Sequence, residues 1–196
     1  MVTSLPLRDR VAAALSRQPS LRRAVPGYKR AAVLLPLYEA PGGPHLLFTK
    51  RTETLPTHKG QISFPGGGYQ DEDGDLERTA LREAQEEVGL DPADVAMAGA
   101  LDDAAGVVSG HLVRPYVGIV PHPYPYRPDP REIEALLHVP VAALLSGGYR
   151  EEIREDGRRV LVFAYRHDGE VIWGLTARIL QQFLERVAAP LWGSSG

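Results

Sequence analysis

Residues 64–90 read FPGGGYQDEDGDLERTALREAQEEVGL, three consecutive glycines and, from Leu76 to Val88, a charged run free of Gly and Pro. Leu76–Val88 consists almost entirely of strong helix formers. Asp73 or Asp75 is available as N-cap, and Gly89 stands where a left-handed C-terminal residue is favoured. The spacing predicts a helix over 76–88. It puts Glu83, Glu86 and Glu87 at i, i+3 and i+4, so the three carboxylates share one arc, while Leu81, Ala84 and Val88 turn toward a core. Like charges at this spacing cost an isolated helix about 0.2–0.5 kcal/mol per pair, and a hard divalent cation reverses the sign. A plainer use of the same residues is a solvated acidic face with Arg82 and Glu86 paired at i, i+4. Gly66-Gly67-Gly68 just upstream is a turn whose missing side chains let backbone groups approach a metal or phosphate closely.

Outward from this segment, Ala31–Tyr38 (AAVLLPLY) is an apolar run of strand length. Leu46–Thr49 follows it after the turn signal of Pro41, Gly42 and Gly43, which predicts a hairpin in a half-buried sheet. Residues 7–18 read as an amphipathic helix, followed by a basic, proline-punctuated stretch from Arg22 to Arg30. Later elements are a strand at Leu112–Val120, a proline-rich loop at Pro121–Pro130, a short helix at Val141–Leu145, a strand at Arg159–Tyr165 and a helix at Leu175–Val187. Strands mixed with few helices favour an α+β class or mixed-sheet sandwich over a regular βαβ repeat.

The 196 residues fit one domain over 1–196, with 1–28 as an N-terminal extension and 190–196 as a mobile tail. Hydrophobic residues at 43% supply a core, which sets disorder aside. A net charge of −3 argues against a nucleic-acid partner, leaving room only for a local basic pocket. Without cysteine there is no disulfide, thiolate metal site or cysteine nucleophile. No run approaches a bilayer span and the N-terminus lacks a secretory h-region, so no membrane partner and a cytoplasmic location are expected. His45, His58, His111, His122, His138 and His167 show no zinc spacing and read as surface or loop residues. No nucleophile elbow or P-loop is present, which removes serine-hydrolase and kinase-like readings.

Gly66-Gly67-Gly68 with Arg82-Glu83-Ala84-Gln85-Glu86-Glu87-Val88-Gly89-Leu90 resembles the Nudix box, a loop-helix-loop that binds Mg²⁺ or Mn²⁺ and hydrolyses nucleoside diphosphates linked to another moiety. The resemblance implies the Nudix fold, an α/β/α sandwich with a mixed β-sheet between helices. It also implies Glu83, Glu86, Glu87 and a carbonyl of the glycine loop, Gly67, as metal ligands, with Arg82 orienting a glutamate. The loop carries one extra residue relative to the family pattern, so Asp71, Glu72 or Asp73 stands for the family's earlier carboxylate.

Leu46–Gly67 is similar to the segment preceding the box in the coenzyme A diphosphatase branch, although that branch usually has an arginine where Pro56 stands. The implied reaction is cation-assisted attack of water on the pyrophosphate of coenzyme A, giving 3′,5′-ADP and 4′-phosphopantetheine. Arg51 is the first candidate for holding substrate phosphate, with Gly66 and Gly67 beside it; Arg30, Lys50 and Lys59 are secondary. Glu86 or Glu83 is a candidate general base, as is Glu132 after the prolines, with Glu134 a lesser one. Tyr124 or Tyr126 offers a ring for adenine as part of a lid. Another nucleoside diphosphate such as ADP-ribose or NADH, and a non-catalytic nucleotide sensor, are the competing readings. The resemblance admits a homodimer.

Overall fold

A computed structural model describes residues 5–53, 59–106, 109–155 and 158–193. Helix α1 (Leu7–Ser16) leads into β1 (Lys29–Ala40), β2 (Gly43–Arg51), β3 (Ile62–Ser63) and β4 (Gly66–Gly68). Next come α2 (Leu76–Val88), β5 (Ala96–Ala100), β6 (Ala104–Gly106), β7 (His111–Ile119), β8 (Ile133–Pro140) and α3 (Val141–Leu145). The chain closes with β9 (Tyr149–Glu155), β10 (Arg158–His167), β11 (Glu170–Trp173), α4 (Gly174–Phe183), a π-helical turn over Leu184–Ala188 and α5 (Ala189–Trp192).

The main sheet is mixed, running β3-β2-β1-β7-β5, with β8 on the outer side of β2 and β6 beside β7. Its centre is the parallel pair β1–β7, in register from Lys29 with His111 to Leu37 with Ile119. Strands β9, β10 and β11 form a separate antiparallel sheet. Alternation along β1 decides what covers each face. Ala31, Leu35 and Leu37 enter the larger core with residues of α1, α3 and α4, whereas Ala32, Leu34 and Tyr38 meet Ala80, Ala84 and Val88 of α2. The sheet is therefore buried on both faces rather than half-buried, because helices lie on each side. The architecture is the expected α+β sandwich.

β1 changes partner along its length. Leu37–Ala40 pairs with β2, but Ala31–Val33 pairs with β4, and the far end of β2 pairs with β3. The two strands thus diverge like a fork, and residues 62–68 fill the opening, stitched to β2 first and β1 second. The three glycines are accordingly a short strand against β1, not a free turn.

Other expectations shift for identifiable reasons. The helical stripe facing the sheet is Ala80, Ala84 and Val88, and Leu81 is only half-buried beside it. The N-terminal extension is no appendage, since Val11, Ala14 and Leu15 of α1 are buried in the core. Of the proposed tail, Pro190–Trp192 continues the last helix and 194–196 lie outside the described residues. His45, His111, His138 and His167 lie in strands rather than loops. His138 Nδ1 is 2.5 Å from the buried Tyr38 hydroxyl, and His45 and His122 stack on the Tyr38 ring. Pro56 and His58 fall outside the described residues. No helix among the described residues is long and apolar enough to cross a membrane.

Candidate active site

Helix α2 is fixed at both ends by local chemistry. The Asp75 side chain accepts a hydrogen bond from the Arg78 backbone N–H at 2.9 Å, and Gly89 closes the helix with φ 70°. Its C-terminal end is then tied to the stretch after the prolines: Arg127 and Asp129 donate backbone N–H groups to the carbonyls of Val88 and Glu87 at 2.8 and 2.9 Å.

The three glutamates occupy one edge of α2 at graded depths. Glu87 is buried; its carboxylate accepts from the Gly66 backbone N–H at 3.2 Å and faces Arg51 Nη1 at 3.6 Å. Burial pushes its carboxyl up to about 8, opposed by the Gly66 hydrogen bond and the charge of Arg51. Glu83 lies at intermediate depth against Gly67. A Cβ built on Gly67 would come within 2.6 Å of the Glu83 carboxylate, so only glycine allows the approach. Burial also raises Glu83, with Arg82 acting in the opposite direction. Glu86, 59% exposed, turns outward and pairs with Arg82 Nη1 at 3.0 Å. The convergence expected from helical spacing is thus incomplete: among the described residues no three His, Asp or Glu side chains stand as a ready-made metal cluster.

Arg82 is the hub of the edge. Its Nε donates to Asp73 Oδ1 at 2.7 Å, its Nη2 to the Gly68 carbonyl at 3.1 Å, and its Nη1 also reaches Glu83 at 2.9 Å. Asp73 is itself buried and accepts from the Gln70 backbone N–H and the Thr79 hydroxyl. The Arg82 hydrogen bond, above all, holds its carboxyl down at about 2. Of the three acidic residues left open by the extra loop residue, Asp73 is therefore the one that meets Arg82. Only tertiary structure reveals this, since Asp73 lies in a 3-10 turn ahead of the helix, outside its periodicity.

Across from this edge, Arg51 at the end of β2 reaches Glu132 with Nη2 at 3.7 Å, and its buried Nε has no hydrogen-bond partner among the described residues. Glu132 enters from the start of β8. Its N–H bonds the Asp129 carbonyl at 3.0 Å, and its carbonyl accepts from the Thr52 N–H at 2.9 Å. Glu83, Glu86, Glu87, Arg82, Arg51, Glu132, Gly66 and Gly67 are thus all brought to one locality.

The remaining candidates are not. Lys50, one residue along β2 from Arg51, pairs with Glu170 at 2.8 Å and Glu134 at 3.3 Å, which engages Glu134 as well. Arg30 lies over the Tyr69 ring at 4.7 Å, in a different cavity, and Lys59 is exposed on the connection to β3. The Tyr124 hydroxyl donates to Asp94 and accepts from the Asp91 N–H, while its ring packs on Tyr126. Both tyrosines thereby pack the proline loop beyond the C-terminal end of α2, Tyr126 also against His138.

The arrangement fits a hard cation. Its donors are all oxygen: carboxylates at graded depth, one kept at an unfavourable burial that positive charge would relieve, and a glycine strand with no side chain in the way. Glu83, Glu86 and Glu87 are the carboxylates that would hold Mg²⁺ or Mn²⁺; the Gly67 carbonyl, expected beside them, belongs to the residue paired with Ala32, and alternation with the Leu34 N–H to Pro65 carbonyl bond turns it toward β1.

Comparison with known proteins gives the family. The NUDIX domain family model matches residues 27–161. An uncharacterized Nudix hydrolase, NudL, of Escherichia fergusonii is 36% identical over 184 residues, covering 92% of this chain and 94% of the relative. NudL of Cronobacter sakazakii is 39% identical over 167 residues, covering 84% and 86%. Among solved structures, the M. smegmatis Nudix hydrolase RenU superposes with a TM-score of 0.57 at 21% identity, over 84% of this chain and 88% of that one, a likeness of fold. With its family model spanning more than half its length and full-length relatives above 30% identity, the chain belongs to the Nudix hydrolase family.

Proposed function

We propose that this Nudix hydrolase cleaves the pyrophosphate bond of coenzyme A to 3′,5′-ADP and 4′-phosphopantetheine. The observation that carries the reading is Arg51. It lies across from the carboxylate edge with ion pairs of 3.6 and 3.7 Å and an Nε that has no hydrogen-bond partner among the described residues, a fixed cation facing the acids that would hold a metal. Arg51 belongs to the Leu46–Gly67 segment that resembles the coenzyme A diphosphatase branch, and the same segment contributes Gly66 and Gly67.

A divalent cation at this edge supplies positive charge against the phosphoryl oxygens and acidifies water. Arg51 binds a phosphate oxygen of the substrate and holds the phosphorus in line. Asp73 fixes Arg82, which orients Glu83 and Glu86. Glu132, partly solvated and beside Arg51, takes the proton of the attacking water as the P–O bond to the leaving phosphate breaks. Glu86 and Glu83 are the other groups within the edge able to take that proton.

The reading is tested by incubating the protein with coenzyme A, NADH and ADP-ribose in Mg²⁺ and comparing kcat/KM. Mass spectrometry of the coenzyme A products formed in ¹⁸O-water then reports the phosphorus attacked. The highest kcat/KM for coenzyme A is expected. Preference for ADP-ribose or NADH would move the assignment to another Nudix substrate, and absence of turnover on all three would make the chain a binding protein.

A further inference from the structure

The basic stretch from Arg22 to Arg30 takes no part in the carboxylate edge. It walls a cavity of about 550 Å³ whose lining also includes Asp75 and Leu76 at the start of α2 and Arg114 and Tyr116 on β7. That volume lies within the range of small-molecule sites. The wall is built rather than loosely draped. Leu21 N–H donates to Asp102 at 2.8 Å, Arg23 N–H to Asp103 at 2.8 Å, and Arg114 Nη2 to the Ser20 hydroxyl at 2.8 Å.

Four arginines are among the residues lining the cavity, Arg22, Arg23, Arg30 and Arg114, against two acids, Asp75 and Asp103. Both carboxylates are committed, Asp103 to Arg114 Nη1 at 2.7 Å and Asp75 to the cap of α2. Arg114 is 5% exposed, yet its buried Nε has no hydrogen-bond partner among the described residues. Arg22, Arg23 and Arg30 make no ion pair among the described residues. Surplus positive charge in a concave site with unspent donors selects a phosphate. Tyr28, Tyr116 and the apolar surface of Leu76 and Leu112 add a floor for a flat ring.

We propose that this cavity binds a nucleoside phosphate. It is distinct from the carboxylate edge: Leu76 at the cavity and Glu83 at the edge are separated by roughly 10 Å along α2. The ligand is either the adenylate end of a substrate or a separate nucleotide, and the chemistry recognised is the same.

The test is isothermal titration of the full chain with AMP, 3′,5′-ADP and inorganic phosphate in excess EDTA, which takes divalent cations out of the carboxylate edge. One-to-one binding of the two nucleotides, tighter than phosphate alone, is expected. Arg22→Glu, at an exposed position, should weaken it about tenfold or more, with Arg22→Ala and Arg30→Ala in the same direction. Arg51→Ala should weaken it less than Arg22→Glu does. Absence of nucleotide binding, equal affinity for bare phosphate, or loss in Arg51→Ala but not in Arg22→Glu overturns the proposal. In a kinetic arm, a raised KM for coenzyme A in Arg22→Glu assigns the occupant to the substrate's own nucleotide end. An unchanged KM alongside lost AMP binding assigns it to a separate nucleotide.

Discussion

The guanidinium of Arg82 donates to both carboxylate oxygens of Asp73, at 2.7 and 3.2 Å, with Asp73 4% exposed at its side chain. Nine residues apart in sequence, the two form a buried, charge-assisted fork that fixes the cation paired with Glu83 and Glu86.

Asp73→Asn keeps the volume and removes the charge. It should destabilise the fold by about 1.5–3 kcal/mol in urea unfolding and lower kcat, because Arg82 loses its anchor. The carboxyl is held at about 2 against an ordinary 3.8, so its stabilisation is fully present above pH 3.8 and is lost as pH falls through about 2. Acid unfolding of Asp73→Asn should be less steep in that window than that of the parent protein; identical acid limbs would sink the pairing.

Glu87 has the opposite sign. Burial raises its carboxyl from 4.5 to about 8, so the stability of the neutral form is present below pH 4.5 and is eroded as pH rises toward about 8. In EDTA, Tm should fall across that interval more for the parent than for Glu87→Gln. Added Mg²⁺ should raise Tm more at the alkaline end, since the ligand must be deprotonated to bind. Thermal melts at a series of pH values check both statements.

Gly67→Ala places a methyl where the Glu83 carboxylate now lies, 2.6 Å from the Cβ position. Displacing Glu83 should lower kcat by about tenfold or more with little change in Tm, as for other changes that re-aim a ligand. A fully active Gly67→Ala enzyme would remove Glu83 from the cation site.

Arg51→Ala should raise KM for the pyrophosphate substrate about tenfold or more, and Arg51→Lys should recover only part of it, because an ammonium replaces the charge but not the planar fork. Steady-state kinetics on the two variants separates this from general damage, which would move Tm as well.

Helix α2 was legible to its last residue because Asp75 and Gly89 are local signals that act without tertiary context. The strand at Ile133–Pro140 was not. IEALLHVP contains Glu, Ala and two Leu, all helix formers, and is strand only because it pairs with β2 from His45 to Arg51. The two- and three-residue strands β3 and β4 are too short to show periodicity, which is why the glycines read as a turn. Within the site, spacing on one helix gave Glu83, Glu86 and Glu87, but not their graded depth or the outward turn of Glu86, which depend on Arg82 and the sheet. Arg30 and Arg51 look alike in sequence. They part company because β1 and β2 diverge and carry them to different hollows.

That divergence has a mechanical consequence. The acids ride on α2, which sits on β1 and β4, while Arg51 rides on the far end of β2, paired with β3 and β8, so the two jaws of the phosphate grip are prongs that meet near Leu37 and Leu46. Width across the grip is set by an angle at a pivot buried in the core. Repacking Leu37 or Leu46, far from any reacting atom, would tune how closely cation and anion face each other across a substrate.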